Sequence, residues 1–372
     1  MKIAFAGTRG VPASYSGFET FVEELGARLV ERGHEVVVYC RKHHIKYEGS
    51  HYRGMRLVKL PTIANKYLDT IVHSILSLFH GVVREAPDLI YVCGQGNAVT
   101  LVIPRIYGIP VVINVDGPDW QRKKWNRFAS WFLRVSEQVA VQLGNVVIAD
   151  SRAVQDYYRR NYGAETTYIA YGAHIPDRQP GTAALERFGL EDRRYFLFVG
   201  RLVPENCAHH LVEAFRGLDT EFKCVIVGDA PYAEDYIASL KAVDDPRIVF
   251  TGYVFGDGYR ELGSHAYAYC LTSEVGGTHP ALVEAMAFGN CVIVNDIPTN
   301  LETIGDAGLS YDGRIGADSL REKLRWTLEH PDEVEQLRRK ARERARSEYS
   351  WEVITDRYEA LFRGLVKGGD LP

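Results

Sequence analysis

No apolar run in this chain approaches the roughly 20 residues that a helix needs to cross a bilayer, so its 372 residues read as water-facing domains. The opening Met1-Lys-Ile-Ala-Phe-Ala-Gly7 has too short an apolar run for a signal peptide and passes straight into a strand-turn pattern. Cysteine is sparse: six residues, with no CxxC pair. Several lie inside apolar strand-like runs, which predicts buried thiols in a reducing compartment. The expected location is therefore the cytoplasm. Asp-x-Asp, GxGxxG, the P-loop and the Gly-x-Ser-x-Gly elbow are all absent, so a Ser/His/Asp hydrolase has no anchor. His43-His44 and His209-His210 are adjacent pairs; neighbours on a regular helix or strand point apart, so no metal site is expected. A net charge of −4 gives no support to a nucleic-acid partner. No solenoid-period repeat or low-complexity segment occurs.

What is present is alternation. Apolar residues make up 46% and charged residues 25% of the chain, as in ordinary globular proteins, and the length suits two domains. Short apolar runs at Ile3–Ala6, Glu35–Cys40, Arg56–Leu60, Leu89–Val92, Val111–Val115 and Val146–Ala149 alternate with helical patterns such as Phe18–Arg32. A second series follows the Pro- and Gly-rich stretch Tyr171–Pro180, with strands at Phe196–Val199, Lys223–Val227, Ile248–Thr251, Tyr267–Leu271 and Cys291–Val294. Such alternation predicts parallel βαβ units. The expected fold is α/β: two Rossmann-like doubly wound parallel-sheet domains, residues 1–175 and 176–350, with a ligand cleft at the carboxyl ends of their strands. The amphipathic helix 351–372 would dock on a domain surface.

Ser273-Glu-Val-Gly-Gly-Thr-His-Pro-Ala-Leu-Val-Glu284 reads as a glycine-bearing loop opening into a helix. A helix N-terminus presents unpaired N–H groups and partial positive charge, which suits a diphosphate. Pro280 fits the first helical turn, and Glu284 lies about one turn further on the same side, where a carboxylate can accept from sugar hydroxyls. An ordinary loop-helix with a surface glutamate has the same local pattern. Arg201 in Val199-Gly-Arg-Leu-Val-Pro-Glu-Asn206 follows a buried strand, where its planar fork suits a diphosphate. Val227-Gly-Asp-Ala-Pro231 and Thr251-Gly-Tyr253 are further strand-end turns, and the clustering favours a nucleotide-diphosphate site in the second domain. In the first domain, the turn Gly7–Gly17 carries Arg9, and Asn114-Val-Asp116-Gly-Pro-Asp-Trp120-Gln-Arg122 ends a strand. There Asp116 would face the cleft and Trp120 would offer a platform for sugar stacking; a plain connection and an Asx turn are the competing readings. Gln121–Arg134 interleaves five basic residues with aromatics, a composition that suits an anionic membrane surface and also the core side of an ordinary helix.

Together these segments resemble a retaining GT-B glycosyltransferase of the family-4 type, and the opening turn, the Asn114–Trp125 segment and the Gly200–Asn206 turn resemble a bacterial rhamnosyltransferase-like subgroup. The likeness spans nearly the whole chain and implies that the last helix crosses back to the first domain. It implies Arg201 and Asp116 as catalytic residues, with Gly200 and Arg201 on the donor diphosphate and Glu284 on the ribose. Gly277, Thr278 and His279 would line the diphosphate and sugar, and Tyr253 would lie near the base. Arg9, Gly10 and Gly17 would face the transferred sugar, while Trp120 and Arg122 would face the acceptor. The implied partners are a nucleotide-sugar donor, which is a substrate and not a cofactor, and a glycan or lipid-linked acceptor, with peripheral contact at the inner membrane surface. No metal is implied. Two positions depart from the family pattern: Asn206 stands where a lysine is usual, and Gly276 where the first of two glutamates is usual. Asn206 and His279 would replace them as donors of lower charge, which is consistent with a 6-deoxy sugar. A nucleotide-sugar epimerase and a non-catalytic sugar-nucleotide-binding protein are the alternatives.

Overall fold

The computed structural model describes residues 1–14, 17–65, 68–115, 117, 120, 126–176, 181–230 and 232–368. The chain forms two compact units, Met1–Tyr171 with Trp351–Pro372, and Gly172–Ser350.

The first unit is built on strands β1 (Lys2–Ala6), β2 (Glu35–Arg41), β3 (His51–Tyr52), β4 (Met55–Leu60), β5 (Leu89–Cys93), β6 (Val111–Val115), β7 (Val146–Ala149) and β8 (Thr167–Tyr168). Their order is β3-β4-β2-β1-β5-β6-β7-β8. All pairings are parallel except β3 with β4. Because helices cover both faces, β5, β6 and β7 are buried along their whole length and apolar apart from Asn114 in β6, with no alternation. The chain builds outward from β1 to one side, then returns to build from β5 to the other, which puts a topological switch point between β1 and β5.

The terminal helix Trp351–Lys367 completes this unit. Its buried residues Trp351, Ile354, Tyr358, Leu361 and Phe362 recur at helical spacing and share a core with Phe21 and Tyr91. Phe21 and Tyr358 meet at 5.2 Å between ring centroids, and the Tyr91 and Tyr358 hydroxyls are 3.2 Å apart. On the rim, Arg32 Nη1 and His34 Nε2 reach the Glu359 carboxylate at 2.8 and 3.0 Å. Bonds from Arg32, His34 and Arg363 hold that carboxyl down to about 2.

The second unit carries β9 (Tyr195–Val199), β10 (Lys223–Val227), β11 (Ile248–Gly252), β12 (Ala268–Leu271), β13 (Cys291–Asn295) and β14 (Gly308–Tyr311). The order is β11-β10-β9-β12-β13-β14, with every pairing parallel. Here the switch point falls between β9 and β12. The expected α/β doubly wound architecture is observed, with strand boundaries within about two residues of the sequence reading. That reading missed β3 and β8, two residues each, and β14, whose Gly-Leu-Ser-Tyr carries too little apolar pattern to register. All six cysteines are buried thiols. No helix among the described residues is long and apolar enough to cross a membrane.

Candidate functional site

In open parallel sheets, ligands bind outside the carboxyl ends of the strands at the switch point. In the second unit this is where β9 ends in Gly200-Arg201 and β12 ends in Thr272-Ser273. The two turns are bonded together. Thr272 Oγ1 donates to the Asn206 carbonyl at 2.6 Å, Ser273 Oγ to Asn206 Oδ1 at 3.2 Å, and the Glu274 amide to the Glu205 carbonyl at 3.1 Å. Asn206 Nδ2 donates to the Arg201 carbonyl at 2.8 Å. The residue that stands where the family has a lysine therefore uses its amide to brace the arginine turn.

Neighbouring strand ends continue the ridge. The Gly200 amide donates to the Val227 carbonyl at 3.0 Å, and the Gly228 amide to the Gly252 carbonyl at 2.9 Å. Tyr253 Oη donates to the Asp229 carbonyl at 2.9 Å. The Tyr253 ring stacks on Phe255 at 5.6 Å and 19°, with both rings exposed. Arg201 is half-buried, and its Nη1 lies 3.4 Å from Tyr232 Oη.

The loop after β12 leads into the helix Pro280–Ala287, with His279 as N-cap and Pro280 at its first position. Gly277 and Thr278 are buried beside this N-terminus. Gly276 has φ +147°, and a Cβ there would lie 2.8 Å from His279 Cε1. The imidazole of His279 thus fills the place that a side chain at 276 would need. Glu284 accepts from Tyr259 Oη at 2.6 Å. Burial first, and then the Glu284 charge, push the Tyr259 hydroxyl well above its ordinary range, so it stays a donor and fixes the carboxylate in place. Hydrogen bonds thus join the Arg201–Asn206 turn to Thr272, Ser273 and Glu274; Gly276–His279 follow in the same loop, and Glu284 is held separately by Tyr259.

Tyr232, Tyr259, Ser273 and Phe255 were missed in the sequence. Only Phe255 left a signal: two residues beyond Tyr253, it shares that residue's face in extended chain.

In the first unit, Gly10 is buried and Arg9 half-buried, and the Arg9 carbonyl accepts from the Arg41 amide at 2.9 Å. The turn is tied to the helix Gly17–Glu31 through side chains: Ala13 N donates to Glu23 Oε2 at 2.7 Å and Ser14 N to Glu19 Oε2 at 3.0 Å. Gly17 opens that helix and is exposed. Trp120 Nε1 donates to Tyr157 Oη at 3.0 Å, and the Arg134 guanidinium lies 3.6 Å above the indole. One face of the expected sugar platform is therefore covered by a cation. Asp116 and Arg122 lie outside the described residues.

One expectation from the sequence is corrected. The adjacent histidines do converge, with ring centroids 4.0 Å apart in His43-His44 and 4.6 Å in His209-His210. His43 and His44 follow β2, outside any strand, whereas His209 and His210 are the second and third residues of the helix Ala208–Arg216, so adjacency on a helix does not keep those rings apart.

The fold is GT-B, the class of two-domain α/β proteins with parallel sheets to which sucrose-phosphate synthase from Thermosynechococcus elongatus belongs. That structure superposes with a TM-score of 0.82 at 20% identity, covering 99% of this chain and 100% of the other. HepE from Anabaena in complex with UDP-glucose gives 0.78 at 18% identity, covering 98% and 100%. Residues 184–346 match the family model Glycosyl transferases group 1, and residues 1–174 match a domain of unknown function (DUF1972). Among curated relatives, the D-rhamnosyltransferase WbpZ of Pseudomonas aeruginosa is 31% identical over 196 residues, half of each protein's length. The alpha-D-kanosaminyltransferase of Streptomyces kanamyceticus is 23% identical over 288 residues, 70% of this chain and 72% of that protein.

Proposed function

We propose that this chain transfers a sugar from a nucleoside-diphosphate donor to a hydroxyl of a glycan or lipid-linked acceptor in bacterial surface-polysaccharide assembly, with L-rhamnose from dTDP-L-rhamnose as the leading donor. The observation that carries this reading is the β9/β12 switch point, where hydrogen bonds join the Arg201 turn to the loop Thr272–Glu274 that leads into the helix bearing Glu284. Arg201 and the N–H groups of that N-terminus stabilise the charge that grows on the departing diphosphate. Transfer with retention follows if the acceptor hydroxyl attacks from the face the diphosphate leaves, and gives its proton to that diphosphate. Asp116, Arg9, Gly10 and Gly17 face the sugar in this reading, and Trp120 and Arg122 the acceptor. A 6-deoxy sugar accords with Gly276, which leaves no carboxylate there to accept from the hydroxyls that the family's first glutamate would bind, and the curated D-rhamnosyltransferase supports the same sugar class.

The test is a thermal-shift series with UDP, GDP, dTDP and their sugars, followed by transfer assays on the best ligand. The expected result is the largest stabilisation by dTDP-L-rhamnose and transfer that requires an acceptor. Product formed from the donor alone would establish an epimerase, and binding without turnover a sugar-nucleotide-binding protein.

The reading includes peripheral contact with an anionic membrane through the first unit. Ile75, Phe79, Val102, Ile106, Phe128 and Trp131 are exposed there, Ile106 at 76% and Phe128 at 71%, on the helices Leu68–His80, Val102–Ile106 and Arg127–Leu143. Arg105, Arg127 and Arg134 stand among them, as expected for an apolar face resting on acidic headgroups. Replacing Phe128 and Trp131 by Ala is expected to lower co-sedimentation with phosphatidylglycerol vesicles severalfold; wild-type sedimentation would overturn this contact.

A further inference from the structure

Five of the six cysteines lie within strands β2, β5, β10, β12 and β13, where burial pushes the thiols of Cys40, Cys93, Cys224, Cys270 and Cys291 up. Cys207 is different. It precedes the helix Ala208–Arg216 with φ 49° and ψ 36°, a left-handed conformation that ordinarily selects glycine or asparagine. That bend brings its sulfur and one nitrogen from each ring of His209 and His210 within 4.8 Å of one another. We propose that Cys207, His209 and His210 bind a zinc-class divalent cation, which anchors the turn carrying Arg201.

The donor set is one thiolate and two imidazoles, which suits a borderline-soft ion such as Zn²⁺. Bond lengths of about 2.0–2.3 Å require the donors to close in by about an ångström, within the reach of side-chain rotation. Each ring is already oriented from outside: His209 Nδ1 lies 2.9 Å from Tyr236 Oη, and His210 Nδ1 lies 3.1 Å from Tyr311 Oη. Outer partners of this kind fix metal-binding imidazoles. The Cys207 thiol now donates to the Pro204 carbonyl at 3.3 Å, a bond that the ion would replace. Both rings also line a pocket of about 320 Å³ together with Glu213, Arg314, Asp318 and Arg321; Arg321 holds Asp318 at 2.7 Å, so the pocket supplies an entry path and leaves Glu213 or water as the fourth ligand.

The second trio, His43, His44 and Asp69, is a poor cation site by comparison. Arg41 Nη1 already holds Asp69 Oδ2 at 2.7 Å, and a permanent cation stands where the ion would go. The proposed ion has a structural place. Cys207 follows Asn206, whose amide braces the Arg201 carbonyl, so an ion on Cys207 and two helix residues would tie down the root of that turn. Binding of the ion stands independently of the donor reading; only its consequence for Arg201 rests on it.

The test uses the full chain, reduced and stripped of metal, titrated with Co²⁺ and followed by absorption. One ion per chain is expected, with a thiolate-to-cobalt charge-transfer band that Zn²⁺ bleaches. Cys207→Asn, which suits the left-handed backbone, is expected to abolish the band with unchanged circular dichroism. His210→Ala is expected to weaken Zn²⁺ at least tenfold in competition with a chromogenic chelator, and His43→Ala to leave both readouts at the wild-type level. No band in folded wild-type protein, or a band that survives Cys207→Asn, overturns the proposal. Should Cys207→Asn fail to fold, wild-type Zn²⁺ affinity in the His209→Ala, His210→Ala double variant overturns it equally.

Discussion

Arg201→Ala is expected to lower kcat/KM for sugar transfer by about 10²–10³-fold, the effect of removing one preorganised donor from a developing oxyanion, with little change in thermal stability. Among the described residues the guanidinium meets only Tyr232 Oη, at 3.4 Å, a separation beyond the usual hydrogen-bond range. The fold therefore loses little with it. Charge on the diphosphate is greater in the transition state than in the bound donor, so most of the loss should fall on kcat and less on KM. Arg201→Lys separates charge from shape: it keeps the positive charge but loses the two-pronged fork, and an intermediate rate is expected. Steady-state kinetics beside a melting curve checks both variants. Full activity of Arg201→Ala would remove the arginine from the site and leave the helix N-terminus as the diphosphate's main support.

Much of this arrangement was legible in the chain because parallel sheets advertise themselves. Strands buried on both faces leave continuous apolar runs, and β9 and β12 end in Gly200-Arg201 and Thr272-Ser273, where the pattern breaks abruptly. Arg201 and Glu284 were therefore singled out by their places after β9 and in the helix that follows β12, and Asn206 through the family resemblance. What those side chains touch was not legible. Asn206 looks like a weaker lysine in the sequence, yet its amide goes to a backbone carbonyl five residues away in the chain and its oxygen to Ser273, and the latter contact exists only once β9 and β12 are neighbours. Tyr259 is likewise 25 residues from Glu284 and has no motif of its own. The histidine pairs failed for the opposite reason. Periodicity gives the direction in which a side chain leaves the backbone and not where a long one ends: His209 and His210 both lie in the helix Ala208–Arg216, yet their ring centroids are 4.6 Å apart. Trp120 was read as a platform for sugar stacking, but the cation over its face comes from Arg134, in the helix that follows.

Gly228→Ala should produce the largest loss of stability that a single methyl group can cause in the second unit. Gly228 has φ +144°, and a Cβ built there would stand 1.8 Å from the Gly200 carbonyl oxygen and 3.0 Å from its carbonyl carbon. No rotamer relieves such an overlap, because the obstacle is backbone. The carboxyl ends of β9 and β10 would have to part, which strains the Gly200–Val227 and Gly228–Gly252 bonds at 3.0 and 2.9 Å. The cost is expected to exceed about 3 kcal/mol, in the range of strained special positions and broken networks. For a unit of this size that corresponds to a fall in Tm of roughly 6–12 °C. Gly252→Ala is the control: its φ is +70° with nothing within 4 Å of the added Cβ, so only the left-handed penalty of about 1–2 kcal/mol applies. The two variants differ in function as well. At a temperature where both remain folded, Gly228→Ala should still lose donor affinity, since the displaced strand end carries Gly200 and Arg201, whereas Gly252→Ala should keep most of it. Melting curves and donor titrations on the pair decide the matter. Equal donor affinities would mean that the Arg201 turn is held by Asn206 and the β12 loop, independently of its packing against Gly228.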